Sequence, residues 1–249
     1  MSGRLDAELL ARGLCESRNR AQTLIDEGHV TVNGLVCMKA SRKVTDADQI
    51  AVTEQLPFVG RGGYKLRYAL AEFRISLRDK RCLDIGASTG GFTDCMLQHG
   101  AKSVLAVDVG HDQMAESLRN DPRVTVMEGT DLRTLDPETD GLPADFAACD
   151  VSFISLKQIL PHIPPLLTDD GTAVLLVKPQ FEAGRSALNK HGIVRDEKIR
   201  QQVLREIRDC AAQNGMIADA ECESPIKGGS GNTEYLLYLH ICNESRRSI

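Results

Sequence analysis

Glycines and small hydroxyl residues interrupt an apolar stretch of the chain over residues 82–92, where the sequence reads CLDIGASTGGF. The apolar start is typical of a strand, and residues 93–99 are typical of a helix. A strand, a glycine-rich turn and a helix open many nucleotide-binding α/β units. Gly86, Gly90 and Gly91 carry no side chain, so a ligand can approach the backbone closely at this turn.

The next predicted strand, residues 103–107, leads directly into Asp108. A carboxylate at this position can accept hydrogen bonds from both hydroxyls of a ribose. The glycines are spaced G-x-x-x-G-G, whereas dinucleotide enzymes use G-x-G-x-x-G to bring a helix N-terminus to a pyrophosphate. A ligand with a ribose and an adenine but no phosphate suits this loop, and S-adenosylmethionine is the common one. An ordinary tight turn could contain the same glycines, but Asp84 and Asp108 in phase with the loop favour a cofactor site.

A lysine at the end of a buried strand is the other chemically unusual feature. Lys178 follows the apolar run AVLLV directly and precedes Pro179. Such a charge is costly unless it is paired. Asp150 ends a neighbouring predicted strand and is a natural partner, and Lys65 and Glu234 form a second candidate pair. From the pattern alone, these residues fit two structural ion pairs as well as they fit a catalytic group.

The elements that position these residues alternate between strands and helices, which predicts an α/β, Rossmann-like, mostly parallel and doubly wound sheet. The predicted strands after the glycine loop are 103–107, 124–127, 144–149, 172–177, 216–223 and 234–242, and the predicted helices are 111–119, 154–160 and 196–213. In such sheets functional residues lie at the carboxyl ends of the strands. Asp108, Asp150 and Lys178 should therefore share one edge, and an antiparallel last strand would bring Glu234 to it.

Length and composition narrow the class of protein. A chain of 249 residues is long enough for one large α/β domain and a small second one. The net charge of −5 argues against a uniformly basic nucleic-acid coat protein. Basic residues nevertheless cluster over positions 61–81, which suits a polyanionic partner or, equally, a solvated helix face.

Three further features predict a cytoplasmic protein. The first residues form a polar, charged pattern that does not resemble a signal peptide. No apolar run is long enough to span a bilayer. The eight cysteines show no metal-ligand spacing and are typical of small buried side chains in a reducing compartment.

The N-terminal part predicts a separate small α+β domain. Two short helices end at Gly13 and Gly28, Ser17 caps the second, and Asn33-Gly34 predicts a hairpin. The stretches RLDAELLARG and SRNRAQTLIDEGHVTVNG resemble the alpha-L RNA-binding motif, which a small-subunit ribosomal protein and bacterial pseudouridine synthases share. The resemblance implies that basic residues of the helices and the following turn contact RNA. The candidates are Arg4, Arg18, Arg20, Lys39, Arg42 and Lys43, with Arg61 in the linker that follows.

Seven further stretches carry a second resemblance: RGGYKL, DIGASTGGFTDC, AVDVG, DVSFISL, VKPQFE, GIVRD and GNTEYLLYL. With them, the whole chain resembles the TlyA family of ribosomal RNA methyltransferases, some of which are called hemolysins. This family is a branch of the FtsJ-like ribose 2′-O-methyltransferases. The K-D-K-E tetrad of those enzymes is matched by Lys65, Asp150, Lys178 and Glu234. Two departures are Gly60, where serine is expected, and Asp131, where many members have asparagine.

The resemblance implies methyl transfer from S-adenosylmethionine to a ribose 2′-hydroxyl of ribosomal RNA, with a cytidine as the target. Lys178 is expected to be the base, Asp150 and Glu234 to orient the lysines, and Lys65 to tune the electrostatics and hold the hydroxyl. No metal is expected. The expected cofactor-binding residues are Asp84, Gly86, Ala87, Ser88, Thr89, Gly90, Gly91, Phe92, Asp108, Val109, Asp131 and Leu132.

The predicted organisation is an RNA-binding domain over 1–55, a linker over 56–63, a methyltransferase domain over 64–243 and a polar tail over 244–249. Two other functions stay open: a membrane-active hemolysin, and a non-catalytic RNA-binding protein that keeps the cofactor fold. The lack of a spanning segment or a long basic amphipathic helix argues against the first, and the complete tetrad argues against the second. The sequence does not determine the target nucleotide, the ribosomal subunit or the oligomeric state.

Overall fold

The computed structural model describes residues 2–26, 28–53, 57–138, 141–228 and 230–242. The chain divides into two compact units, Met1–Arg61 and Gly62–Ile249. Within the described ranges, no helix is both long enough and apolar enough to cross a membrane.

The first unit combines two helices with short antiparallel strands. The helices are α1 (Leu5–Ala11) and α2 (Arg18–Asp26), and the strands are β1 (Ser2–Arg4), β2 (Val30–Val32), β3 (Leu35–Val36), β4 (Lys43–Thr45) and β5 (Ile50–Val52). Strand β2 pairs with β3 and β5, and β1 pairs with β4. Leu5, Leu9, Leu24 and Ile25 are buried where the two helices meet.

Local signals in this unit act as the sequence predicts. Ser17 Oγ accepts a hydrogen bond from Arg20 N at 3.2 Å, which caps α2. Asn33 and Gly34 both have positive φ, 55° and 78°, as the tight turn of a two-residue hairpin requires. The β1–β4 pair is not predicted, because three-residue strands are too short to show a period.

The second unit is built on a seven-stranded sheet. Its strands are β6 (Arg81–Ile85), β7 (Ser103–Asp108), β8 (Val124–Glu128), β9 (Ala144–Cys149), β10 (Leu167–Val177), β11 (Met216–Glu223) and β12 (Tyr235–Ile241). Its helices are α3 (Gly62–Glu72), α4 (Gly91–Gln98), α5 (Glu116–Arg119), α6 (Leu156–Ile159), α7 (Pro179–Glu182) and α8 (Glu197–Gln213). Short 3₁₀ turns lie at Leu132–Thr134, Leu160–His162, Pro164–Leu166 and Arg185–Ala187.

The strand order explains how the site is assembled. Across the sheet the order is β11-β12-β10-β9-β6-β7-β8, and β10 to β8 in this order are parallel. The apolar segments of β6, β7, β9 and the second half of β10 are buried, as parallel strands covered on both faces require, whereas the edge strand β8 is only partly buried. Strand β12 runs antiparallel to β10, with Tyr235 opposite Val177. The start of β12 therefore lies at the edge where β10 ends, which confirms the predicted fold class and the expected place of Glu234.

The prediction of a helix over 111–119 is wrong in its first half, since α5 begins only at Glu116. The carboxylate of Glu128 accepts hydrogen bonds from the backbone N–H groups of Asp112, Gln113 and Met114 at 2.9–3.0 Å. These amides are satisfied without a helical turn, and Asp112 has a φ of 54°. A partner so far along the chain leaves no periodic signal in the segment itself.

Other boundaries differ by less. Helix α3 begins at Gly62, inside the range predicted as a linker, and β10 begins at Leu167 with an irregularity before Thr172. The helix predicted over 154–160 is shorter, because α6 passes into a 3₁₀ turn before Pro161. The predicted tail, 244–249, and Leu56 of the predicted linker lie outside the described residues.

Candidate active site

The carboxyl ends of β9 and β10 bring Asp150 and Lys178 together. Lys178 Nζ lies 2.6 Å from Asp150 Oδ1 and donates a hydrogen bond to Ser152 Oγ at 2.7 Å. The lysine side chain is only 10% exposed. The contact with Asp150 is an ion pair without hydrogen-bond geometry, and Oδ1 of Asp150 has no hydrogen-bond partner among the described residues. An ammonium has three N–H groups, so Nζ keeps donors for a ligand beside its bond to Ser152.

The second predicted pair also forms. Lys65, on α3, places Nζ 2.6 Å from Oε2 of Glu234, just before β12. Their side chains are 9% and 3% exposed. A side chain at Gly228 would collide with Glu234 Oε1, so this carboxylate packs against loop backbone. The Lys65–Glu234 pair is thus buried and the Lys178–Asp150 pair is partly buried, and both lie at the edge of the sheet where the parallel strands end.

A pocket of about 400 Å³ opens beside these pairs. Lys65, Lys178 and Glu234 line it together with Ser152 and Phe153. Charged groups that line a pocket can act on a bound molecule, whereas ion pairs that only join elements need no adjoining space. We refer to this space as the acceptor pocket.

Phe153 is an unexpected feature at this pocket. Its side chain is 91% exposed, and its φ of 64° is unusual for an aromatic residue. Its ring lies 5.1 Å from that of Phe181, between ring centroids. Backbone strain concentrates at functional sites, and an exposed ring offers a surface on which a planar base can stack. The sequence does not predict this, because DVSFISL gives no sign that its phenylalanine is exposed.

A cleft of about 530 Å³ lies along the ends of β6, β7 and β9 and the segment after β8. This volume is in the ordinary range for sites that bind small molecules. A smaller cavity of about 200 Å³ shares Gly86, Ser88, Asp150 and Ser152 with the cleft. Ten of the twelve expected cofactor-binding residues line one or both of these spaces. They are Gly86, Ala87, Ser88, Thr89, Gly91, Phe92, Asp108, Val109, Asp131 and Leu132.

Asp108 is held in place by backbone donors. Its Oδ2 accepts a hydrogen bond from Ser88 N at 2.8 Å, and its Oδ1 accepts one from Gly110 N at 2.7 Å. Each carboxylate oxygen has a second lone pair, so the group can still accept hydrogen bonds from two ribose hydroxyls. Apolar side chains such as Leu132 and Ile154 also line the cleft and suit an adenine. The cleft therefore fits an adenosine without phosphates, as S-adenosylmethionine presents.

Two glycines of the loop have no room for a side chain, each because of a different neighbour. Gly86 has a φ of 81°, and a side chain there would lie 2.6 Å from the carbonyl oxygen of Asp150. The loop therefore packs directly on the strand end that carries the acid of the first pair. A side chain at Gly90 would meet Leu118 and Met114, so this glycine allows α4 to pack and does not line the cavities.

Two expected cofactor acids are already engaged by the protein. Asp84 is fully buried and accepts a hydrogen bond from Thr93 Oγ1 at 2.6 Å, and burial raises its pKa to about 7. It faces the start of α4 and lines neither cavity. Asp131 lines the cleft, but its carboxylate is paired with Arg133, which lowers its pKa to about 2. Of the two acids, only Asp131 faces the cleft, and it could contact a ligand there while it stays paired with Arg133.

The candidate RNA-binding residues of the first unit fall into two groups. Arg4 and Arg18 both pair with the fully buried Asp6, at 3.0 and 3.1 Å, and hold the pKa of that carboxyl well below its usual range. Arg20 donates a hydrogen bond to the carbonyl of Phe58 at 2.9 Å. These three arginines therefore stabilise the unit itself.

Lys39 and Lys43 belong to the second group. Both are exposed, and neither forms an ion pair within the described parts of the chain. Arg42 is partly buried beside them, and Arg61 is the last residue of the unit. Of the expected RNA-binding residues, the two lysines are the most available to a phosphate.

Comparison with known proteins covers both units. Residues 58–241 match the family model of the FtsJ-like methyltransferases, and residues 3–50 match that of the S4 domain. A Bacillus subtilis protein named as a candidate rRNA methyltransferase, YqxC, is 48% identical over 246 residues, which cover 98% of this chain and 87% of that protein. The 16S/23S rRNA (cytidine-2′-O)-methyltransferase TlyA of Mycobacterium tuberculosis is 43% identical over 238 residues, 95% of this chain and 89% of that one.

A solved structure gives the same result. A protein from Streptococcus thermophilus described as a candidate hemolysin is 44% identical and superimposes with a TM-score of 0.78, covering 97% of this chain and 89% of that one. The family model spans most of the chain, and the similarity to TlyA extends through the S4 domain. The chain therefore belongs to the FtsJ-like methyltransferase family, in its TlyA branch with an N-terminal S4 domain.

Proposed function

We propose that the protein transfers a methyl group from S-adenosylmethionine to the ribose 2′-hydroxyl of a cytidine in ribosomal RNA. The observation that carries this proposal is the position of the Lys178–Asp150 pair between two spaces. Asp150 lines the cofactor cleft, Lys178 lines the acceptor pocket, and Ser152 lines both. A donor and an acceptor bound in these spaces would meet at the pair.

The residues divide the chemistry between them. When bound in the cleft, S-adenosylmethionine supplies an electrophilic methyl group. A ribose hydroxyl is a poor nucleophile until its proton is removed. Lys178 Nζ, in its neutral form, takes that proton as the oxygen forms its bond to the methyl carbon and the methyl–sulfur bond breaks, which leaves the donor as a neutral thioether. Asp150 and Ser152 fix the position of Nζ. Glu234 orients Lys65, which holds the acceptor hydroxyl and stabilises the charge that develops on it.

The S4 domain and the names of the relatives support RNA as the substrate. The TlyA relative acts on 16S and 23S ribosomal RNA by its name, and a protein that modifies such RNA would work in the cytoplasm. The tetrad needs no metal for this reaction. The name hemolysin occurs among the relatives, but no observation on the described residues favours a membrane-active function.

The function is tested by incubation with S-adenosylmethionine labelled in its methyl group and with separated small and large ribosomal subunits. Label should enter ribosomal RNA, and mapping should place it on the 2′-oxygen of a cytidine. The TlyA protein of Mycobacterium tuberculosis serves as a positive control. Label on a base, or no label in RNA when the control is active, would contradict the proposal.

Replacement of Asp108 by alanine should weaken the binding of S-adenosylmethionine, because the ribose loses its acceptor and the glycine loop loses the carboxylate that binds Ser88 N. Hydrogen bonds to a charged group contribute about 1.5–3 kcal/mol, so the Kd should rise at least tenfold. Titration calorimetry measures this directly. Asp121→Ala is the control, because Asp121 pairs with Arg123 and does not line the cleft. An unchanged Kd for Asp108→Ala would remove this residue from the site.

Replacement of Lys39 and Lys43 by glutamate should weaken binding to ribosomal subunits. Each lost phosphate contact should lower the slope of log affinity against log salt by about one. Affinity for S-adenosylmethionine should not change. The charge-matched control is Lys102→Glu with Arg205→Glu, two exposed residues outside the S4 domain and outside the basic cluster over 61–81. Equal losses in both variants would point to net charge and not to this face of the S4 domain.

A further inference from the structure

Asn232 is a buried polar residue whose role the tetrad does not explain. It is 2% exposed and lies just before Glu234 in the chain. Its Oδ1 accepts a hydrogen bond from Val194 N at 3.0 Å, and its Nδ2 donates one to the carbonyl of Gly192 at 3.0 Å. A buried amide whose bonds all go to one backbone segment fixes the position of that segment.

The segment held in this way, residues 188–195, forms part of the acceptor pocket, and we refer to it as the wall segment. Leu188 and Gly192 line the pocket together with Lys65, Lys178 and Glu234. Gly228, Ser230 and Asn232 line it from the turn that leads into β12. Asn232 thus joins the wall segment directly to the turn that leads to Glu234.

A second anchor supports the same connection. Arg200 of α8 donates hydrogen bonds to the carbonyls of Val194 and Arg195, at 3.2 and 2.7 Å, and to the hydroxyl of Tyr235 at 3.1 Å. Tyr235 follows Glu234 directly. The wall segment is therefore hydrogen-bonded to Asn232 on one side of Glu234 and, through Arg200, to Tyr235 on the other side. A shift of the wall segment would be transmitted to the turn that leads to Glu234.

The positive charge of the wall segment indicates that it contacts phosphate groups of the RNA. Lys190 and Arg195 are exposed, and neither is in an ion pair within the described ranges of the chain. A ribose held at the tetrad brings its own flanking phosphates to the rim of the pocket. Phosphate contacts set the register and orientation of a nucleic acid, so a fixed cationic wall would orient the acceptor ribose.

We propose that Asn232 is a positioning residue for the RNA acceptor, a role that rests on the proposed function. It does not touch the reacting atoms. It holds the cationic wall segment and the Glu234 turn in one geometry, so that a ribose anchored by its phosphates presents its 2′-hydroxyl to Lys178. The cofactor cleft does not include Asn232 or the wall segment and should be unaffected by this contact.

The test is Asn232→Ala in the full-length protein. Misplacement of a reacting group by about 1 Å can cost 10²-fold in rate, so kcat should fall by at least about tenfold and KM for ribosomal RNA should rise. The Kd for S-adenosylmethionine should stay at the parental value. Hydrogen exchange at the Val194 amide should accelerate, because its acceptor is gone. The hydroxyl of Asn232→Ser can form a hydrogen bond with one of the two backbone groups, so this variant should give smaller changes. It replaces the alanine variant in the same measurements if the alanine variant does not fold.

Ser224→Ala is the matched control. Ser224 is also buried before β12, and its hydroxyl bonds to the carbonyl of Ile226 and not to the wall segment. The proposal is overturned if Asn232→Ala keeps parental kinetics, if it loses cofactor affinity in parallel, or if Ser224→Ala loses activity equally. Unaltered exchange at Val194 overturns it whether or not RNA is methylated. Failure of the proposed function would appear separately, as an inactive parental protein.

Discussion

The Lys178→Ala variant is expected to lose methyl transfer while it keeps the fold and the binding of S-adenosylmethionine. Removal of a general base costs about 10²–10⁴-fold in rate, and here the same residue also fixes the acceptor hydroxyl. The cofactor cleft retains Asp108, Gly86 and its apolar wall, none of which depends on Lys178. Single-turnover methylation of ribosomal RNA, calorimetry with S-adenosylmethionine and thermal unfolding measure the three properties on one preparation.

Two comparison variants sharpen this result. Lys157→Ala removes a lysine from an exposed ion pair with Glu206, at 2.7 Å, and should leave the rate unchanged. Lys178→Arg keeps the positive charge, but a guanidinium cannot accept a proton in this pH range. If Lys178 is the base, the arginine variant is as inactive as the alanine variant. Substantial activity in Lys178→Arg would instead mean that Lys178 acts only as a fixed charge.

Much of the site follows from the sequence because the sheet is parallel. Asp108, Asp150 and Lys178 each follow an apolar run, and parallel strands bring their carboxyl ends to one edge. Glu234 lies at the same edge because β12 runs antiparallel to β10, so that the start of β12 is beside the end of β10. The sequence predicts this position once the last strand is taken to be antiparallel. The two ion pairs are therefore local consequences of strand positions, and the structure supplies their distances.

The features that the sequence does not predict depend on contacts between distant segments. The segment after Asp108 avoids a helix because Glu128 binds its amides, and Arg4 and Arg18, which the family resemblance offers as RNA-binding residues, pair with the buried Asp6. The exposure of Phe153 follows from a positive φ that no propensity encodes. In the cases of Glu128 and Asp6, a side chain fulfils a backbone or charge requirement that arises only in the folded chain.

Variants of the buried pair of Lys65 and Glu234 should show whether this pair contributes to stability, to catalysis or to both. Lys65→Met or Glu234→Leu alone leaves one charge buried without a partner, which should lower the free energy of unfolding by about 3–5 kcal/mol. The double variant removes both charges and should recover most of this loss, since apolar residues of similar volume can replace a buried ion pair. Urea unfolding of the parental protein, both single variants and the double variant gives the coupling energy.

Activity should follow a different pattern from stability in this set. All three variants are expected to be inactive in methyl transfer whether or not the fold recovers, because the acceptor hydroxyl loses either Lys65 itself or the carboxylate that orients Lys65. The exposed pair of Lys157 and Glu206 is the control, and its single variants should each change stability by less than about 1 kcal/mol. A stable double variant without activity assigns the pair to catalysis. A stable double variant that methylates RNA at the parental rate would show that Lys65 and Glu234 serve the structure alone, and the reaction would then rest on Lys178 and Asp150.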